Sequence, residues 1–230
     1  MPSVLITGAS RGLGLELARQ YAADRWTVYA ACRDPAGARG LAEISARESR
    51  ESFSVLPMDV TDASSVAHAA RAVSGPLDVL INNAGIMGGN QSFGRMDYEG
   101  WDEVLRVNTI APLRVTEAFA SHLERGERRL IVTITSGLAS IGDNTSGGWI
   151  AYRSSKAAVN MVMRSLAVGL ASRRITCVVV SPGWVQTDMG GPSATLTAAE
   201  SVSALRSLFA RLRPSDSGKF FGHDGKELAW

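Results

Sequence analysis

Short apolar runs rich in β-branched residues alternate with longer stretches of helical spacing from one end of the chain to the other. The strand candidates are Ser3–Thr7, Thr27–Cys32, Phe53–Pro57, Leu77–Asn82, Leu130–Thr135, Thr176–Ser181 and Lys219–Phe221. Several are continuously apolar instead of alternating, which is the pattern of strands buried on both faces. Between them lie amphipathic stretches; in the first, Leu13, Leu17 and Tyr21 share a face that Leu15, Ala18 and Ala22 widen. Asp62 stands as an N-cap before the third helix, and Gly169 falls late in a long one. About seven strands with intervening helices predict an α/β fold, a single doubly wound parallel sheet with helices on both faces. No repeat, linker or low-complexity tract interrupts it, so residues 1–230 are expected to form one domain.

Composition agrees with a packed core and excludes several function classes. Of the 230 residues 45% are hydrophobic and 20% charged, so the chain is not disordered by composition. No apolar stretch reaches the length of a membrane span and the mean hydropathy is +0.03, so membrane insertion is not expected. The net charge of +2 comes from arginines spread along the chain, which argues against nucleic acid as a partner. Cys32 and Cys177 make no disulfide scaffold and no metal-ligand spacing, and His68, His122 and His223 are far apart and read as solvated surface positions. No metal is expected. The first strand begins at about Ser3, leaving no room for a leader segment; the expected location is the cytoplasm, with both thiols reduced.

The first strand runs directly into TGASRGLG, Thr7–Gly14, and then into the first helix. Gly8, Gly12 and Gly14 permit a tight turn, close approach to a pyrophosphate and close helix–sheet packing, and the helix N-terminus offers free N–H groups to an anion. An ordinary strand–turn–helix loop can carry three glycines too; the placement after the first strand of a β–α repeat is what favours a dinucleotide.

TGASRGLG, Asn82–Gly85 (NNAG), Asn108, Ser136, Tyr152–Lys156 (YRSSK) and Pro182–Asp188 (PGWVQTD) together resemble the short-chain dehydrogenase/reductase family, over essentially the whole chain. ACRDP after the second strand and PGWVQTDMGG look most like its small carbonyl-reductase subgroup, which includes sniffer-like and C-factor-like proteins. The resemblance implies a Rossmann-type sheet, a nicotinamide dinucleotide and a small carbonyl or alcohol substrate. An NAD-preferring member carries an acid at the end of the second strand. Here Cys32 stands there, followed by Arg33, and Arg11 lies in the glycine turn; two guanidinium groups suit a 2′-phosphate, so NADP(H) is the expected cofactor. Asp34 is two places beyond the acidic position. Ser10 and Leu13 belong to the same turn. The resemblance further places Asp59 and Val60 at the adenine, Asn83, Ala84 and Gly85 at the ribose, and Pro182, Gly183, Val185 and Thr187 at the nicotinamide amide.

Tyr152 and Lys156, four apart, share a helical face. A phenol ordinarily titrates near pH 10; a neighbouring ammonium and an oxidised nicotinamide would lower that and let Tyr152 serve as general acid and base. The resemblance gives Ser136, second of the pair Thr135-Ser136, the hydrogen bond to the substrate oxygen, and gives Asn108 a water that links Lys156 to solvent. The resemblance also sets Tyr152 and Lys156 against the cofactor. Ser140 and Ser146 read as loop serines in a slightly enlarged loop. Met87, Trp149, Trp184 and Met189 are candidates for an apolar substrate pocket or for ordinary packing, and the short span Asp188–Leu196 suggests an open site for modest aldehydes or ketones. Two readings remain open: an NADPH-dependent carbonyl reductase, and a signalling protein that keeps the dinucleotide site with incidental catalysis. Long helices are expected over roughly Asp97–Glu124 and Trp149–Ser172; on the second, two stripes, one of Ala157, Met161 and Leu166 and one of Val159, Met163 and Val168, predict a homodimer or homotetramer, with an alanine-rich monomer surface as the alternative. Phe220, Phe221 and Trp230 are expected either at an interface or over the chain's own pocket.

Overall fold

The computed structural model describes residues 1–49 and 51–230. Seven strands, β1 (Ser3–Thr7), β2 (Thr27–Cys32), β3 (Phe53–Pro57), β4 (Val79–Asn82), β5 (Leu130–Ile134), β6 (Thr176–Ser181) and β7 (Phe220–Gly222), form one sheet in the order β3-β2-β1-β4-β5-β6-β7, parallel throughout. Parallel neighbours demand crossovers, and the helices supply them: α1 (Gly12–Ala23), α2 (Arg39–Ser45), α3 (Ala63–Ala72), α4 (Tyr98–Leu105), α5 (Ala111–Arg125), α6 (Ile150–Gly169) and α7 (Ala198–Arg211).

Strand period decides which layer each side chain enters. Val4 and Ile6 of β1 pack with Leu17 and Tyr21 of α1, Leu41 of α2 and Leu205 and Phe209 of α7, whereas Leu5 between them packs with Val115 and Phe119 of α5, Val66 of α3 and Val159 and Met163 of α6. The sheet thus separates two cores and is covered on both sides. The order in which strands are added reverses between β1 and β4, and open α/β sheets bind ligands at the carboxyl ends of the strands at such a point.

The helix expected over about Asp97–Glu124 is not continuous. Asp97 caps α4 by accepting from Gly100 N–H at 2.9 Å, but Arg106–Ile110 is a π-helical turn before α5. One extra residue per turn lets Asn108 face inward, where its amide is held by groups outside the helix. The fourth strand begins at Val79, not Leu77, because Leu77 N–H is spent on His122 carbonyl. His122 is also not a solvated surface residue: Nε2 lies 2.8 Å from the Val73 carbonyl and its ring packs on Phe119. His68 is exposed and His223 half-buried. Asp62 caps α3 through Ser64 and Ser65 N–H, and Gly169 is the last residue of α6.

The tail settles on the chain itself. Phe221 and Glu227 pair in antiparallel fashion, the Trp230 ring lies 5.7 Å from that of Phe220, and the Trp230 carbonyl accepts from Ile141 and Gly142 N–H. Among the described residues no helix is long and apolar enough to cross a membrane, and no three His, Cys, Asp or Glu side chains are grouped to hold a metal. Cys32 and Cys177 are buried free thiols.

Candidate active site

The glycine turn closes β1 onto α1 by contacts that leave no room for a Cβ at Gly8 or Gly14. Gly8 has φ +65°, and a Cβ there would lie 2.9 Å from Ala84 Cα; a Cβ on Gly14 would lie 2.3 Å from the Gly8 carbonyl oxygen. Gly12, at φ +55°, has only Thr187 nearby and faces open space. The NNAG segment leaving β4 is bonded onto this turn. Thr7 Oγ1 accepts from Asn83 and Ala84 N–H at 3.0 Å each, and Asn83 Nδ2 donates to the carbonyls of Thr7 at 2.9 Å and Gly8 at 3.2 Å. Arg11 is the N-cap of α1 and provides no side-chain acceptor, so the helix opens with N–H groups available to an anion.

The acidic position after β2 is Cys32, buried, with Arg33 exposed beside it. Asp34 does not substitute for it: its carboxylate accepts from Gly37 N–H at 3.1 Å, and it is not on the cavity wall. Arg11 and Arg33 both stand on the cavity wall. Arg11 reaches across the mouth to Asp188, Nη1 to Oδ2 at 2.6 Å, both side chains solvated. Arg106, from the π turn, lines the same cavity. Asp59 is held below the ordinary carboxylate range, first by the Thr61 hydroxyl that donates to it at 2.7 Å, with smaller contributions from the charges of Arg33 and Arg106. Arg106 escaped the sequence reading because nothing in a helical pattern marks the π turn that aims it at the cavity.

Tyr152 and Lys156 lie on consecutive turns of α6, both buried. Lys156 Nζ donates to the Ile134 carbonyl at 3.0 Å and stands 5.8 Å from the Tyr152 ring centroid. Burial pulls the Lys156 ammonium down from 10.5 to about 8. Burial also raises the Tyr152 phenol, opposite to the lowering expected from Lys156; a hydrogen bond with the Ser136 side chain pulls the other way. Ser136, at the end of β5, also accepts from Leu138 N–H at 3.1 Å. Ser140 and Ser146 are engaged elsewhere, Ser140 with Asp143 N–H and the Trp230 carbonyl, Ser146 with Arg153.

Asn108 is 1% exposed. Its Oδ1 accepts from Ile86 N–H at 2.9 Å, and its Nδ2 donates to the Ile86 carbonyl at 2.8 Å and to Ser155 Oγ at 3.0 Å. A second amide that the sequence reading missed does a parallel job: Gln91, 7% exposed, accepts from Tyr152 N–H at 2.8 Å and donates to the Met87 carbonyl at 2.7 Å. No motif carries it; a glutamine in a loop has no spacing to betray it.

These elements enclose one elongated cavity of about 630 Å³. Gly8, Ser10, Arg11, Gly12, Leu13 and Gly14 form one end, with Cys32, Arg33, Asp59 and Val60 at the corner; Asn83, Ala84, Gly85, Tyr152, Lys156, Pro182 and Thr187 line the rest. Gly183 and Val185 lie off its wall: Val185 is buried and bridges to Leu196, and Gly183 abuts Leu196 and His223. Of the four apolar candidates for the substrate side, only Met189 reaches the cavity. Trp149 is the left-handed residue before α6 and half-exposed, and Trp184 donates its indole N–H to the Gly190 carbonyl at 2.8 Å. The Asp188–Leu196 span is tied at both ends, through Gln186 N–H to the Leu196 carbonyl and Leu196 N–H to the Trp184 carbonyl.

The short chain dehydrogenase family model matches residues 2–196. The chain is 44% identical to the C-signal protein of Myxococcus xanthus over 164 residues, 71% of this chain and 99% of that protein. It is 32% identical to 1-hydroxy-2-glutathionyl-2-methyl-3-butene dehydrogenase of a Rhodococcus species over the full length of both. Among solved structures, NADPH-bound carbonyl reductase from chicken fatty liver superposes with a TM-score of 0.93 at 35% identity, covering 100% of this chain and 99% of that one. Carbonyl reductase Sniffer of D. melanogaster gives 0.92 at 31%, with both chains fully covered. A parallel sheet whose strand order switches beside a glycine turn, a Tyr–Lys pair near a serine, and a family match across most of the length lead to one assignment: the chain belongs to the short-chain dehydrogenase/reductase family.

Proposed function

We propose that this chain is an NADP(H)-dependent carbonyl reductase that converts an aldehyde or ketone to an alcohol, with Tyr152 as the proton donor. The observation that carries the proposal is the buried Tyr152 phenol beside Lys156 on the wall of the cavity that the glycine turn also lines. The cavity's residues fit the cofactor. Gly8 and Gly14 hold the backbone where a Cβ could not stand, the first turn of α1 offers N–H groups to a pyrophosphate, and Arg11 and Arg33 beside a neutral Cys32 suit a 2′-phosphate. Structural neighbours crystallised with NADP or NADPH support the same choice.

When bound, the reduced nicotinamide supplies the hydride that reaches the carbonyl carbon. Tyr152 gives its proton to the carbonyl oxygen, and Ser136 donates a hydrogen bond to that oxygen as its charge develops. Lys156, anchored on Ile134, keeps a positive charge beside the phenolate that remains. Three hydrogen bonds commit the Asn108 amide to Ile86 and Ser155, so the proton relay to Lys156 would use the remaining lone pair of Oδ1.

A signalling role is favoured by one observation, the 44% identity to the C-signal protein. The Ser136–Tyr152–Lys156 set favours the reductase, since a protein that only binds a dinucleotide has no use for a buried phenol aimed at a serine. The test is absorbance loss at the NADPH band against a panel of aldehydes and ketones, repeated with NADH. Turnover on several members, faster with NADPH, is expected; no turnover on any member with either cofactor would overturn the assignment.

A further inference from the structure

We propose that Gln91 is a positioning residue that fixes Tyr152 and couples it to the cavity-lining loop after β4. Helix α6 lacks a side-chain cap of its own. The first N–H groups of a helix have no partner within it, and a Ser, Thr, Asp or Asn at the N-cap usually accepts from the second or third. The residue in that place is Trp149, at φ 48° and ψ 41°, with no side-chain cap. An indole N–H can only donate. Tyr152 is the third residue of α6, so its N–H is one that needs an acceptor, and it is buried. Gln91, 61 residues earlier in the chain, provides it at 2.8 Å.

The other end of the same amide holds the loop. Gln91 Nε2 donates to the Met87 carbonyl at 2.7 Å. Asn108 repeats the device one residue earlier and one turn later: it binds both backbone groups of Ile86 and reaches Ser155, whose hydroxyl donates to the Tyr152 carbonyl at 2.8 Å. Two buried amides therefore bolt Ile86 and Met87 to the turn of α6 that carries Tyr152. Asn83, Ala84, Gly85 and Ile86, immediately before, form cavity wall. Whatever seats against that wall sets the Met87 carbonyl, and through Gln91 the backbone of Tyr152.

This inference rests on the carbonyl-reductase reading, and the test separates the two. The full-length protein is compared with Gln91→Leu, which removes both hydrogen bonds, and Gln91→Glu, which keeps the acceptor facing Tyr152. Misplacing a reacting group by a fraction of an ångström lowers the rate steeply, so kcat in Gln91→Leu is expected to fall about tenfold or more. Carbonyl KM and NADPH affinity should stay within about twofold, and Gln91→Glu should restore most of kcat. Independently of turnover, NADP+ should slow amide exchange at Tyr152 in the native protein and not in Gln91→Leu. A Gln91→Leu protein that melts earlier yet keeps native kcat below its melting temperature would reduce Gln91 to a structural cap and overturn the proposal. Equal losses of kcat and NADPH affinity would overturn it too. If Gln91→Leu does not fold, the native exchange decides: an NADP+-saturated protein with unchanged Tyr152 exchange refutes the coupling. A native protein that reduces no carbonyl but shows NADP+-dependent protection of Tyr152 sinks the reductase reading and leaves the coupling standing.

Discussion

Lys156 is the most expensive residue in the site for the folded chain. With its ammonium buried and its pKa pulled down to about 8 from 10.5, the folded state holds fewer protons than the unfolded state between those two values. Stability from this residue therefore rises with pH across that window, and below pH 8 the cost of burying the charge is complete, about 3 kcal/mol. Lys156→Met removes that cost but orphans the Ile134 carbonyl, worth about 1 kcal/mol. The variant is expected to be more stable than the native protein at pH 7 by about 2 kcal/mol and to lose turnover. The difference should shrink as pH rises from 8 towards 10.5. Urea titrations at pH 7, 8.5 and 10 check it, and taking the difference cancels the opposing trend from Tyr21 and Cys177, both raised to about 12 by burial. At this scale the sequence was informative wherever chemistry demands one residue type: Tyr152, Lys156 and Ser136 stand together as expected. It was silent on Gln91 and Arg106, which a loop and a π turn bring to the site, and on the Arg11–Asp188 ion pair at its mouth.

At the scale of elements, continuous apolar runs placed all seven strands to within about two residues, because burial on both faces leaves an unambiguous pattern. The long helix before β5 was read as unbroken since a π turn keeps helical composition; only the inward demand of Asn108 distinguishes it. Likewise Val168 was grouped with Val159 and Met163, but at 3.6 residues per turn it falls seven from Met161 and shares that residue's exposed face. The glycine turn was legible in full, and its tightness gives a test. A Cβ on Gly14 would meet the Gly8 carbonyl oxygen at 2.3 Å and Asn83 Nδ2 at 2.6 Å, so β1, α1 and the NNAG segment must separate to admit it. Gly14→Ala is expected to cost about 3 kcal/mol, a fall in Tm of roughly 10 °C for a chain of this size, and to abolish dinucleotide binding. Calorimetry and NADPH titration measure the two effects.

For the whole molecule, α6 leaves Met161 at 66% and Val168 at 70% exposure, while Val159 and Met163 on its other side are wholly buried against the sheet. Such a face is expected to pair with a second copy. The native protein should sediment at twice the 24.4 kDa chain mass or more at micromolar concentration, and Met161→Lys with Val168→Lys should return it to one chain. A native species of single-chain mass, unchanged by NADPH, would contradict pairing. The most direct measurement of the proposed chemistry compares native protein and Tyr152→Phe in one assay, NADPH binding by fluorescence titration followed by NADPH oxidation with the best aldehyde or ketone of the panel. The phenol oxygen carries the proton while the ring contributes packing, so the variant should bind NADPH within about twofold of native and lose at least about a thousandfold in kcat. Near-native turnover by Tyr152→Phe on every accepted substrate would contradict Tyr152 as the proton donor.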